Sequence, residues 1–250
     1  IKKREKISTI NKEIRAILRM LDSIVNTIII LFFLLILLYG VYGVWDSWNI
    51  NEESQKNIYE TYRPIENGDE SFEKLRMINP EVIGWLTIYD TNIDYPLVQC
   101  ENNFKYVNTD AKGQFALGGS IFLDYRNKKD FSDQNNIIYG HHMEKKTMFG
   151  ELDQFEKESF FKAHRLGAVY YEDCWHSIEF FAFLNADAYD TDVYNTNKRE
   201  QEDYIHTIQQ KSSFFRELEL KEEEHFIMLS TCKSDTTNGR YVLVGRIKGK

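Results

Sequence analysis

Residues Phe226 to Ile247 read FIMLSTCKSDTTNGRYVLVGRI. Two apolar runs, Phe226–Leu229 and Tyr241–Val244, have the length and residue types of buried strands. The stretch between them, Lys233 to Gly239, is polar and ends in Asn238-Gly239, a strong turn signal. If the two runs pair as antiparallel neighbours, the end of one strand meets the start of the next, which sets Cys232 beside Arg240. A guanidinium favours the thiolate form of a neighbouring thiol and can also hold a developing oxyanion. Such a pair calls for a base elsewhere in the chain.

Upstream, Val82–Ile88, Ile93–Val98, Ser120–Leu123, Asn136–Tyr139, Ala168–Tyr171 and Ile178–Leu184 are short strand candidates rich in β-branched and aromatic residues. With the two runs above they make about eight strands, which suggests a barrel or a sandwich. A helix is expected to interrupt the series over 199–215, with Tyr204, Ile205, Ile208 and Phe215 on one face and Asn197 with Glu200 as a capping pair. It either packs over a wall or shapes a substrate groove. A shorter helix is predicted over Ser71–Ile78, with Phe72, Leu75 and Ile78 at helical spacing and Asn79-Pro80 ending it.

The base candidates lie in NNIIYGHHM, residues 135–143. A short apolar strand runs into Gly140 and then His141-His142, so an imidazole stands just past a strand end, where it could exchange a proton with a thiol from another strand. Each of these residues also has a plain structural reading: a packing or surface histidine, a buried cysteine, a solvated arginine. Adjacent histidines diverge on an extended backbone and no HxxxH or CxxC supplies further ligands, so neither a metal nor a cofactor is expected.

Charge divides the chain. Residues 1–22 hold seven Lys/Arg against Glu5, Glu13 and Asp22, a net +4, whereas the remainder carries −12, which together give the chain's −8. So acidic a remainder leaves no basic stripe for nucleic acid. The three cysteines, Cys100, Cys174 and Cys232, cannot all pair within one chain, and the fold must rest on its core. A bridge between Cys100 and Cys174 stays open. Ile24–Trp45 is an apolar run of about 33 Å as a helix, enough for a hydrocarbon core of about 30 Å. Basic residues precede it and Asp46, Glu52 and Glu53 follow, which orients the N-terminus to the cytoplasm and the rest outward. Trp45 and Trp48 suit the outer interface. Residues 46–69 read as a helical or loose stalk.

YGHHM at 139–143, LSTC at 229–232 and GRYVLVGRI at 239–247 resemble the His, Cys and Arg segments of the sortases, membrane-anchored cysteine transpeptidases of Gram-positive bacteria. INPEVIGWLTI at 78–88, IDYPLVQ at 93–99, FLDYRN at 122–127, TMFGEL at 147–152 and the helix before the Cys strand point to class B. The resemblance covers residues from about 70 to 250. It implies a mostly β fold, an eight-stranded sortase-type barrel with N-terminal helices and an extra helix before the Cys strand. The expected organisation is a basic cytoplasmic tail at 1–23, a transmembrane helix at 24–45, an extracellular stalk at 46–69 and the catalytic domain at 70–250.

By the matching motifs, Cys232 is the nucleophile, His141 the acid and base, and Arg240 the group that holds substrate and oxyanion, while Asn103 and Ser230 line the substrate groove. Lys233 departs from the acidic or neutral residue expected after the Cys. The implied partners are secreted proteins with a C-terminal NPxTG-like sorting signal and an acceptor amine from a peptidoglycan precursor (lipid II) or a pilin, at the cytoplasmic membrane. The competing readings are an anchored cysteine peptidase and an anchored binding module with an inert cysteine.

Overall fold

The computed structural model describes residues 2–53, 56–65, 70–143, 145–197, 200–219 and 223–248. The chain divides into two compact units, residues 1–49 and 50–250. The first is helix α1, which spans Lys2–Glu53 and runs past that boundary. Within its segment Ile17–Asp46 an 18-residue window reaches a mean hydropathy of 2.8 with none of that window buried in protein, so the segment is long and apolar enough to cross a membrane. The side chain of Trp48 and the basic side chains before Arg15 lie outside the described residues.

The second unit is built on strands β1 Val82–Ile88, β2 Asp94–Val98, β3 Ile121–Leu123, β4 Asn135–Tyr139, β5 Leu166–Tyr171, β6 Cys174–Asp187, β7 Ser212–Phe215, β8 His225–Cys232 and β9 Gly239–Ile247. They follow the order β5-β1-β2-β3-β4-β8-β9-β6-β7, and a further β5–β6 pairing closes the first eight into a barrel. The β2–β3 and β4–β8 pairs are parallel and the others antiparallel. Closure depends on the length of β6. Its residues Cys174–Glu179 pair with β5 and Ile178–Asp187 with β9, with a register shift between Phe180 and Ala182. Where β5 ends, β7 takes over the same edge at Ala182–Leu184.

Three expectations change. Residue 199 lies outside the described residues, and the helix before the Cys strand, α4, spans Gln201–Lys211, with Ser212–Phe215 leaving it as β7. Serine hydroxyls compete with the helix's own ladder and weaken it, and the backbone of Ala182–Leu184 needs a partner. Ser212 donates to the Ile208 carbonyl at 2.6 Å, closing the last turn. Phe215 still meets Phe181, at 5.8 Å between ring centres, but from a strand. Nor does the capping pair form: Glu200 is the N-cap and contributes only its carbonyl, to Tyr204 N–H at 3.1 Å. Lastly, the stretch expected to be a helical or loose stalk includes a 3-10 helix, Lys56–Tyr62, which is no free spacer, since its Tyr59 is buried in the core. Arg63 holds Asp94 at 3.1 Å, and Asp94 accepts the indole N–H of Trp85 at 2.7 Å. Residues 54–55 and 66–69 of that stretch lie outside the described residues. Helix α2, Glu70–Ile78, buries Phe72 and Leu75 but leaves Ile78 half exposed, and the short α3, Glu158–Ala163, buries Phe161.

The central strands are buried on both faces. In β8, Ile227 and Leu229 face the barrel interior, while Phe226 and Met228 join a second cluster with Val242 and Val244 of β9 and Tyr204 and Ile208 of α4. That is why these strands read as continuous apolar runs instead of alternating ones. Tyr204 stacks on Phe226 at 4.7 Å and donates to Asn135 at 3.2 Å. Helix α4 thus covers the outer wall. All three cysteines are free thiols.

Charges gather at the closing seam. Glu179 lies opposite Leu166 of β5 and Arg246 of β9. Its buried carboxylate accepts from Arg165, from Arg246 at 2.7 Å and from Lys248 at 3.1 Å. Burial alone would raise its pKa, but hydrogen bonds from Arg246, Arg165 and Lys248 win and hold it at about 2, against an ordinary 4.5. A carboxylate whose pKa is depressed on folding stabilises the fold above its unfolded value, and that contribution is lost as pH falls toward the folded one. The depression is worth on the order of 3 kcal/mol at neutral pH. Glu179→Gln should therefore lower the urea midpoint of the detergent-solubilised chain at pH 7, and its stability should fall less steeply than the parent's between pH 4.5 and 2. Equal slopes would remove the seam from the account of acid unfolding.

Candidate active site

The site is built at the ends of three adjacent strands. Strand β8 lies between β4 and β9, with Tyr139 opposite Ser230 and Cys232 opposite Arg240. Just past β4, Gly140 donates to the Ser230 carbonyl at 3.3 Å and accepts from the Thr231 hydroxyl at 2.8 Å, so the chain leaving β4 stays pinned to β8 as it reaches His141. Residue 140 must lack a side chain. A Cβ there would come within 2.7 Å of Ile121 and 2.8 Å of Phe149, both buried. Phe149 N–H donates to the His141 carbonyl at 2.9 Å and fixes the bend from the other side.

Cys232, His141, Arg240, Asn103 and Ser230 all line one cavity of about 800 Å³. Cys232 is exposed at its wall. The Nε2 of His141 lies 2.7 Å from the Val107 carbonyl oxygen. A carbonyl only accepts, which assigns a proton to Nε2 and leaves Nδ1 as the nitrogen able to exchange one. The two histidine rings diverge: His142 sits 3.7 Å from Asp153 and against Tyr241. Arg240 donates one Nη1–H to the Gly239 carbonyl at 2.9 Å and meets no carboxylate among the described residues, so its charge is left for the cavity.

Lys233 turns away from this cavity. Its ammonium lies 3.3 Å from both Glu156 and Asn185, and 5.2 Å from the Tyr241 ring centre, so the residue after the cysteine braces the β8–β9 turn against the barrel. The other side of the cavity comes from residues that sequence reasoning assigned no role. Tyr194, in the loop between β6 and α4, shares a 2.8 Å hydrogen bond with Ser230, whose side chain is thereby buried and occupied. Burial pushes the Tyr194 phenol up to about 12, so it stays protonated at neutral pH. Tyr139 stacks against Tyr194 at 6.4 Å and packs at a tilt against Phe122 at 5.5 Å, giving the cavity an aromatic wall. Nothing local marks Tyr194, whereas Tyr139 and Phe122 lay within the motif segments quoted above.

A thiol, an imidazole and an unneutralised guanidinium around an aromatic-walled groove can form and break an acyl–sulfur bond. Comparison with known proteins agrees. Residues 86–248 match the Sortase domain family. Sortase B of Listeria monocytogenes is 35% identical over 185 residues, covering 70% of this chain and 73% of that one. A Streptococcus pyogenes class B sortase involved in pilus biogenesis superposes with a TM-score of 0.67 at 42% identity, over 71% of this chain and 97% of that one. Sortase B of Bacillus anthracis gives a TM-score of 0.72 at 28% identity, over 82% of this chain and all of the other. The chain belongs to the sortase family, as a cysteine transpeptidase of class B.

Proposed function

We propose that this sortase cleaves a C-terminal NPxTG-like sorting signal after its Thr and joins the Thr carbonyl to a second amine. The observation that carries the reading is that Cys232, His141 and Arg240 line one cavity although they come from three different strand ends. The Cys232 thiolate attacks the Thr carbonyl carbon, and the resulting oxyanion meets the guanidinium of Arg240. The bond to Gly then breaks, His141 protonates the departing amine, and a thioester remains on Cys232. The second amine attacks that thioester, His141 takes its proton, and the thiolate leaves. One amide is exchanged for another without any redox step. Asn103 and the aromatic wall hold the peptide, and Ser230 contributes by fixing Tyr194 in that wall.

The acceptor is an amine of a peptidoglycan precursor or a pilin lysine. The 42% identity to a streptococcal class B sortase involved in pilus biogenesis supports the pilin lysine. Helix α1 serves as a single-pass anchor. Basic residues before Ile24 and acidic ones after Trp45 favour a cytoplasmic N-terminus, with the catalytic unit outside, where secreted substrates emerge.

A fluorescence-quenched NPxTG-type peptide tests the assignment. Cys232→Ala and His141→Ala should each lower kcat/KM by about a thousandfold or more. Residual turnover near the parent level in Cys232→Ala would remove the nucleophile. Arg240→Lys should cost about a hundredfold, because an ammonium cannot reproduce the planar two-point contact; an unchanged rate would make Arg240 a structural charge. With an added amine, mass spectrometry should find the transfer product displacing the hydrolysis product. Hydrolysis alone at every amine concentration would make the enzyme a peptidase.

A further inference from the structure

The cavity holds a second guanidinium that the mechanism above does not use. Arg126, in the turn between β3 and β4, is 40% exposed as a side chain and lines the cavity. It grips the carboxylate of Asp124, with Nε on Oδ1 at 2.9 Å and Nη2 on Oδ2 at 2.8 Å. Asp124 is fully buried. The same carboxylate accepts from the Tyr139 hydroxyl at 3.0 Å and from Asn103 Nδ2 at 3.1 Å. Three side chains of the cavity wall are thus set by one hidden anion. Burial works against its charge, but the bonds from Arg126 outweigh that and keep Asp124 ionised below the usual carboxylate range.

Two features say what this assembly is for. With Nε and Nη2 engaged, Nη1 of Arg126 has no hydrogen-bond partner among the described residues and remains a charged donor at the cavity. The one carboxylate among the described lining residues, Asp190, is already held by Lys211 at 2.6 and 2.7 Å. The position is also informative. Asp124 N–H donates to the Ile137 carbonyl at 2.8 Å, which sets it level with Ile137, four residues before His141. At strand rise that is roughly 13 Å, the length of about four residues of extended peptide.

We propose that Arg126 is a substrate-recognition residue whose Nη1 edge takes a carbonyl oxygen at the far end of the sorting motif, and that Asp124 is the positioning residue that aims it together with Tyr139 and Asn103. The inference rests on the sorting-signal reading. The carbonyl belongs either to the side chain of the motif's first residue or to the main chain there, and both present the same acceptor to a guanidinium.

Kinetics of the full chain in detergent with NPxTG-type peptides beginning in Asn or in Ala test this. Arg126→Gln should raise KM for the Asn peptide about tenfold with a far smaller change in kcat, since the contact is remote from the scissile bond. Arg126→Lys should do the same, because an ammonium cannot hold Asp124 at two points and still present a third donor. Asp124→Asn should raise KM at least as far, since it also frees Tyr139 and Asn103, and adding Arg126→Gln to it should cost no more than about twofold further. A penalty that vanishes with the Ala peptide assigns the oxygen to the side chain; one that persists assigns it to the main chain. A KM within twofold of the parent in Arg126→Gln with both peptides overturns the inference while leaving the sorting-signal reading intact, and a parent enzyme that ignores both peptides overturns both. If Asp124→Asn fails to fold, Arg126→Gln, at a partly exposed position, decides alone.

Discussion

Everything in the catalytic unit depends on β8 being hydrogen-bonded on both sides, to β4 in parallel and to β9 in antiparallel. The antiparallel register sets Cys232 opposite Arg240, so thiol and guanidinium share one sheet end. The parallel register sets Tyr139 opposite Ser230, so the chain leaving β4 emerges at that same end, two residues before His141. A slip of one residue in either ladder would turn the side chains to the other face. Register is protected because β8 is buried on both faces, with the barrel interior on one side and α4 on the other. Any slip would exchange well-packed apolar contacts across the whole strand.

Barrel closure is a separate problem, solved at β6. One long strand serves β5 and β9 in succession, and β7 covers the edge that β5 vacates. Glu179, Arg165 and Arg246 sit where this exchange occurs, so the seam carries a fully satisfied carboxylate at its least regular point. The cavity answers a different demand. It holds its polar groups in place by hiding one anion, Asp124, behind its wall, while Arg240 meets no carboxylate among the described residues.

Legibility followed locality. The strands β1 to β4, β8 and β9 were readable because double burial writes an unbroken apolar run into the sequence. The extent of β6 was underestimated, since its ends are polar and only pairing with two partners holds them in the sheet. Strand β7 was hidden because Phe215 continues the helical spacing of Tyr204 and Ile208, and the need for a strand arises from the edge of β6. Cys232 and Arg240 were readable as neighbours because a short polar turn joins their strands. Val107 was not, since its contribution is a backbone carbonyl, which no side chain records. Tyr194 escaped because its importance is a contact with Ser230, thirty-six residues away.

The amino-acid sequence by itself determined the apolar N-terminal span, the eight principal strands, the antiparallel pairing of the last two and the residue types able to carry thiol chemistry. These are properties of composition, period and turn chemistry within short windows. Only the tertiary structure decided that β4 lies parallel beside β8, that Asn103, Arg126 and Tyr139 answer to one buried carboxylate, and that Lys233 faces away from the cavity. Each of these is a choice among partners distant along the chain. The free energy that makes the choice comes from burial and charge pairing that exist only once the barrel has closed.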